Sequence, residues 1–211
     1  MFKVRLRLGY LILHNMCTTM SQTRRHPLVF LLILLVGGTW ACDTEIDNPI
    51  IPPVEEEPIT KLIYSLDDPD GLNYLFFFQD LDGDGGNSPI LTMDTLDHGV
   101  PYQGTILMYD DTENPIEDIT LTIDAEAKDY QLFFELGDES LANIFYLDAD
   151  QNGRPVGLLS QLITQAPGES ELTISLVHQP NKTGTGVQQG DPSNAGGKVE
   201  IEVNFPFVVR P

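Results

Sequence analysis

The chain has 211 residues, and the roughly 150 from Lys61 onward suffice for one domain with a sizeable core. Its 32 acidic residues outnumber 11 basic ones, giving a formal net charge of −21. A surface this negative repels nucleic acid and anionic lipid headgroups, so we expect neither to bind it directly. It attracts divalent cations or basic surfaces instead.

An export signal is predicted at the N-terminus. Residues 28–36, LVFLLILLV, form an apolar run that follows Arg24 and Arg25. A short apolar run after basic residues is typical of a secretory signal, whereas a membrane-spanning helix takes about 20 apolar residues. We therefore predict a signal peptide over residues 1–41, and Met20 is an alternative start because a complete signal follows it.

Lipid attachment is predicted where this signal ends. Cys42 follows the small residue Ala41 directly after the apolar run, an order that resembles a bacterial lipoprotein cleavage box. The alternative is a cysteine that happens to lie beside an ordinary cleavage site. Since Cys17 would be removed with the signal, Cys42 would stand alone, and the exported chain would have no internal disulfide.

A tether is predicted next, over residues 42–58. After Cys42 the sequence reads DTEIDNPIIPPVEEEP, whose prolines prevent regular helix and favour an extended chain of about 3.1 Å per residue. Loss of the signal removes five basic residues and no acid. The remaining chain then has six basic against 32 acidic residues, a formal net charge of −26.

Residues 59–211 are predicted to form one all-β domain, an antiparallel β-sandwich. Apolar and polar residues alternate in segments 171–177, ELTISLV, and 198–205, KVEIEVNF, as expected for strands with one buried face. Further strand candidates, separated by Gly, Pro, Asn and Asp, are NYLFFFQ, ILTMDTL, GTILMYD, YQLFFEL, ANIFYLD and LLSQLIT. In residues 115–130 the apolar spacing favours a short helix, although Thr120–Thr122 could also form a strand.

An internal repeat is indicated by an offset of 68 residues. Asp80 and Asp148 are separated by this distance, and the same offset aligns Phe77 with Phe145 and the YQLFFEL strand with KVEIEV. We therefore predict two tandem units of about four strands, packed as two sheets face to face.

Two Asp-rich turns are the candidate metal sites. The first, QDLDGDGGN, offers Asp80, Asp82 and Asp84 at alternating positions, as in the first half of a calcium loop. Position 12 of an EF-hand loop would fall on Leu91, so this turn is not an EF-hand. A calcium site here would need a further carboxylate, for which the sequence offers the nearby residues Asp67, Asp68, Asp70 and Asp94.

The second turn, LDADQNGRP, offers Asp148, Asp150 and Asn152. Its twelfth position falls on Leu159, which again excludes an EF-hand. For both turns the alternative to a tentative calcium site is an Asx-turn, in which the Asp or Asn side chain accepts hydrogen bonds from its own loop.

The only histidines after the signal are His98 and His178, each beside a predicted turn. They are weak candidates for a transition-metal site, which usually takes several nitrogen or sulfur ligands, and HQPNKT is better explained as a shaped turn. The sequence contains no G-x-S-x-G, H-E-x-x-H or P-loop motif, so we expect no enzymatic activity and no cofactor other than calcium.

The segments DLDGDGGN, HQPNKTGTGV and GDPSNAGGKVEIEV resemble a family of small outer-membrane lipoproteins of Bacteroidota, over most of residues 55–208. Members sometimes carry the label of a type 1 periplasmic-binding fold, which alternates strands and helices. This chain shows no such alternation, so the β-sandwich remains our prediction.

Our leading hypothesis is a non-enzymatic, lipid-anchored binding or accessory protein. The resemblance, which is to a family of unknown function, implies the outer membrane as its location, on the surface or on the periplasmic side. A TonB-dependent transporter is the partner that it implies by analogy. Two alternatives stay open, a calcium-stabilised structural or adhesive surface module and a metal-capture lipoprotein.

Overall fold

A computed structural model describes residues 58–83 and 86–211. The predicted signal, Cys42 and most of the tether lie outside them, as does Asp84. The fold is a β-sandwich of two packed sheets, which confirms the predicted fold class.

The larger sheet has seven strands. Its order is β3-β2-β1-β5-β9-β8, with β6 paired to β5 beside this path, and all its pairings are antiparallel. The strands are β1 (Lys61–Asp67), β2 (Asn73–Gln79), β3 (Ile90–Met93), β5 (Pro101–Asp110), β6 (Glu117–Asp118), β8 (Ala142–Tyr146) and β9 (Leu159–Thr164).

The smaller sheet has four strands in the order β4-β11-β10-β7. They are β4 (Leu96–Asp97), β7 (Tyr130–Leu136), β10 (Gly168–His178) and β11 (Lys198–Arg210). Strands β7, β10 and β11 are antiparallel, whereas β4 pairs parallel to the end of β11, with Leu96 opposite Val209. The long β10–β11 pair forms the centre of this sheet, and the pairing slips once between Leu176 and Val177.

The core lies between the sheets and follows the predicted alternation. Leu172, Ile174 and Leu176 of β10 are buried, as are Val203 and Phe205 of β11, whereas Val199 at the start of β11 is about half exposed. Aromatic contacts join the two layers, such as the edge-on packing of Phe76 on Phe205 with ring centres 5.6 Å apart.

A second, small cluster covers part of the outer face of the smaller sheet. Phe133 and Val177 point away from the main core and pack with Val187 and Ala195 of the Gly-rich loop that joins β10 to β11. This loop contains two 3-10 turns, Val187–Gln189 and Pro192–Asn194.

The segment of ambiguous periodicity forms the short helix α1 (Ile119–Ala125), which confirms the favoured interpretation. The Asp118 side chain caps its start by accepting a hydrogen bond from the Thr120 amide, and Ile119 and Ile123 are buried. No helix in the described part of the chain is long and apolar enough to cross a membrane.

The strand order along the chain follows the 68-residue offset, which aligns β2 with β8, β3 with β9, β5 with β10 and β7 with β11. Each Asp-rich turn joins two antiparallel neighbours of the larger sheet. The sheet partners differ, however, because β5 lies in the larger sheet and β10 in the smaller one. The structural similarity of the two halves, which a superposition would test, therefore stays a prediction.

Candidate functional site

The first Asp-rich turn uses its acids as hydrogen-bond acceptors for its own loop. Asp80 Oδ1 accepts from the Gly83 amide at 3.0 Å, and Asp82 Oδ2 accepts from the Asn87 backbone and side-chain nitrogens at 2.9 and 2.7 Å. These bonds from Asn87 hold the pKa of Asp82 below its ordinary value. The arrangement is that of an Asx-turn, and the calcium interpretation stays a prediction because Asp84 lies outside the described residues.

The additional carboxylates proposed for this turn lie at the wrong end of the sheet. Asp68 and Asp94 accept hydrogen bonds from the amides of Leu72 and Leu75, at the start of β2, whereas Asp80 follows the end of β2. A seven-residue strand is about 20 Å long, so these acids cannot share an ion with Asp80. The predicted strand NYLFFFQ already separates Asp67, Asp68 and Asp70 from Asp80, whereas the place of Asp94 follows from the pairing of β3 with β2.

The second turn is also closed by its own acids. Asp148 accepts from the amides of Gly157 and Leu159 at 2.8 and 3.0 Å, which secures the return of the chain into β9. Asp150 Oδ1 accepts from the amides of Asn152 and Arg154 at 2.7 and 3.1 Å. Asn152 thus contributes its backbone to the turn.

A buried lysine supplies a positive charge to this second turn. Lys182 Nζ donates to the backbone oxygens of Ala127 and Pro155 at 2.6 and 2.9 Å and lies 3.4 Å from Asp150 Oδ2. Both charged side chains are shielded from solvent. The Lys182 ammonium therefore connects the second Asp-rich turn to the segment after α1. It does so through contacts with oxygen atoms, which are also the ligands that calcium takes.

An acidic cleft of about 470 Å³ opens beside this lysine, between the end of α1, the second turn and the end of β10. Its lining includes Asp124, Glu126, Asp129, Gln151 and His178. Within the described residues, no group of three or more His, Cys, Asp or Glu side chains is arranged to hold a metal ion. The described residues therefore give the cleft a negative charge but do not form a ready-made set of metal ligands.

The two histidines lie far apart. His178 ends β10, stacks on Tyr130 with ring centres 4.6 Å apart, and lies 3.4 Å from Glu200. His98 donates its amide to the carbonyl of Arg210, at the opposite end of β11. Since β11 has 13 residues, about 40 Å of strand separates the two positions, and they cannot share a metal ion.

The outer face of the larger sheet presents an uncharged, partly apolar surface. Opposite pairs place Ile63 between Phe77 and Leu107 in one row across β2, β1 and β5. The next row joins Leu75, Ser65, Thr105 and Leu159 across four strands. Leu75 and Leu159 are 42% and 45% exposed, and Phe145, farther along the face, is 49% exposed. We call this surface the outer face.

Charge is almost excluded from the outer face. The six strands β3, β2, β1, β5, β9 and β8 contain three charged residues, of which Lys61 and Asp67 stand at strand ends and Asp110 is buried. The smaller sheet is different, since its strands carry the glutamates Glu135, Glu169, Glu171, Glu200 and Glu202. Apart from Asp67, Asp110 and the two residues of β6, the acids of the described strands thus lie on the smaller sheet.

Neither the buried Lys182 nor the outer face was predicted from the sequence. In β2 the residues Leu75 and Phe77 alternate with Tyr74, Phe76 and Phe78, so the strand is apolar on both faces. Apolar residues on both faces are typical of a strand that is covered on both sides, so the sequence of β2 already contained a signal for the outer face. Nothing in the sequence marks Lys182 as buried, because its oxygen partners come from two distant segments.

Comparison of the chain with models of known families, with curated proteins and with solved structures gives no match. The resemblance to a lipoprotein family therefore stays a prediction.

Proposed function

We propose that the chain is a non-enzymatic, lipid-anchored binding or accessory protein of the outer membrane, and that it binds a protein partner through the outer face. An outer-membrane transporter is the class of partner that the resemblance implies. Alternatives based on metal binding have less support, because the described carboxylates of both Asp-rich turns already accept hydrogen bonds within the domain.

One observation carries this proposal, the uncharged and partly apolar surface on a strongly acidic domain. Leucine and phenylalanine side chains that are 42% to 49% exposed on this sheet leave apolar area in contact with water, which is unfavourable by about 25 cal/mol per Å². Contiguous exposed patches of this kind commonly mark interaction sites. The smaller sheet differs, since Glu135, Thr173 and Asn204 lie opposite one another on its outer side.

Site-specific photocrosslinking in intact cells tests the proposal. A photoreactive phenylalanine analogue at Leu159, on the outer face, should give a discrete crosslinked protein product. The same analogue at Thr173, on the smaller sheet, is the matched control and should give little. Equal crosslinking from both positions, or none from Leu159, would contradict a binding role for the outer face.

A further inference from the structure

We infer that the partner of the outer face is a protein surface with an apolar centre and basic margins. This inference rests on the proposed function and adds the chemistry of the partner. It follows from the size of the uncharged area and from the acids that border it, and it excludes a second copy of this chain and a lipid surface.

The uncharged centre is too small to form a stable interface alone. Six strands spaced about 4.8 Å apart give a width of about 25 Å, and the uncharged rows extend about 15–20 Å along the strands. The resulting area is about 400–500 Å², whereas a stable interface takes about 800 Å² from each partner. A partner that covers the centre must therefore also cover the margins at the strand ends.

Both of these margins are acidic. At one end lie Asp67, Asp70 and Asp94, which are all exposed, together with Asp68. At the other end lie the first Asp-rich turn with the exposed Asp82, and Asp148 after β8. Lys61 also stands at this end of β1, and Asp111 already forms an ion pair with it.

These charges decide which surface can cover the outer face. A second copy would bring acidic margins against acidic margins, and like charges facing each other across an interface cost several kcal/mol. Anionic lipid headgroups would be repelled for the same reason. A protein with lysines or arginines around an apolar centre would satisfy both the apolar rows and the acidic margins.

The test uses the full chain expressed in its own cells, with the photoreactive analogue at Phe77. The double substitution Asp67→Lys and Asp70→Lys reverses the charge of two acids at one margin. The matched control is Glu135→Lys with Glu202→Lys, which reverses the charge of two exposed acids on the smaller sheet. We expect one crosslinked protein that differs from this chain, with a yield that falls about tenfold in the margin variant and stays unchanged in the control. In isolated membranes, the yield should also fall when NaCl is raised from about 50 to about 500 mM.

The other outcomes separate the inference from the proposed function. A product at twice the mass of the chain would identify a second copy, and crosslinking to lipid alone would identify a membrane surface, so either result overturns the inference. A crosslinked partner that is insensitive to the margin charges and to salt also overturns it but leaves the binding role intact. Absence of any crosslinked product removes both. Thermal melting of each variant confirms that the domain remains folded.

Discussion

The Lys182 ammonium lies 3.4 Å from the Asp150 carboxylate, and both side chains are shielded from solvent. This pair joins the Gly-rich loop between β10 and β11 to the second Asp-rich turn. Burial of charge is costly unless every charged atom has partners, and here two backbone oxygens and two backbone amides complete the arrangement. The pair therefore specifies how two long connections meet.

Removal of the lysine should destabilise the domain strongly. Lys182→Met leaves the Asp150 carboxylate buried without its cation, for which a loss of about 3–5 kcal/mol is expected. Lys198→Met is the control, because that lysine is 59% exposed and its ion pair with Glu200 contributes about 0–1 kcal/mol. Denaturant unfolding of both variants checks the difference, and equal losses would show that Lys182 has no special role.

The Asp150 carboxylate should contribute stability that depends on pH. Burial alone would raise its pKa, but the amides of Arg154 and Asn152 and the Lys182 ammonium outweigh burial and hold the pKa below its ordinary value. Because the folded pKa lies below the unfolded value of about 3.9, this stability is present above about pH 4 and is lost as the pH falls through the folded pKa.

This expectation is checked by measuring the free energies of unfolding of the wild type and of Asp150→Asn. The measurements run from neutral pH down to well below the unfolded pKa. The difference between them should be constant down to about pH 4 and should then shrink. Glu202→Gln changes an exposed carboxylate and serves as the control, with little effect throughout. A difference that does not change with pH would contradict the assigned role of Asp150.

The Asp82 side chain should act as a turn acceptor. Asp82→Asn keeps a side-chain oxygen that can accept from Asn87, so it should leave the melting temperature nearly unchanged, whereas Asp82→Ala removes the acceptor of both bonds and should lower it. Melting temperatures with millimolar calcium and with a chelator should agree for the wild type. A rise with calcium that disappears in Asp82→Asn would instead establish the tentative calcium site.

Gly104 should not tolerate a side chain. A methyl group there would overlap Ser160 Oγ and lie 2.5 Å from the Tyr64 ring, inside the core. These two side chains also share a hydrogen bond of 2.8 Å. Gly104→Ala should therefore cost about 1–3 kcal/mol. Thermal unfolding of Gly104→Ala measures this loss, and a variant as stable as the wild type would contradict the overlap.

Cys42 should carry lipid. The apolar run before it and the small residue Ala41 motivate this prediction, which concerns a part of the chain outside the described residues. Metabolic labelling with a fatty acid should mark the wild type and fail to mark Cys42→Ser. Label that persists in the variant would exclude this cysteine as the attachment site.

The fold class could be predicted from the sequence, because alternation of apolar and polar residues is a local property of each strand. The segment 171–177 alternates with period two, and its apolar residues are buried in the core. Helix α1 was likewise predictable from the spacing of Ile119 and Ile123. Both Asp-rich turns were found as connections between strands, since Asp, Asn and Gly suit the backbone of such turns.

The contacts of the acids and of the buried lysine, in contrast, depend on how distant segments pack together. The oxygens around Lys182 come from residues 127, 150 and 155, and only the packing of the loops brings them together. The outer face likewise arises from strands β2, β1, β5 and β9, several of which are neighbours in the sheet without being neighbours in the sequence. Periodicity identifies which residues share one side of a strand, but strand order and pairing decide which of those sides form a continuous surface.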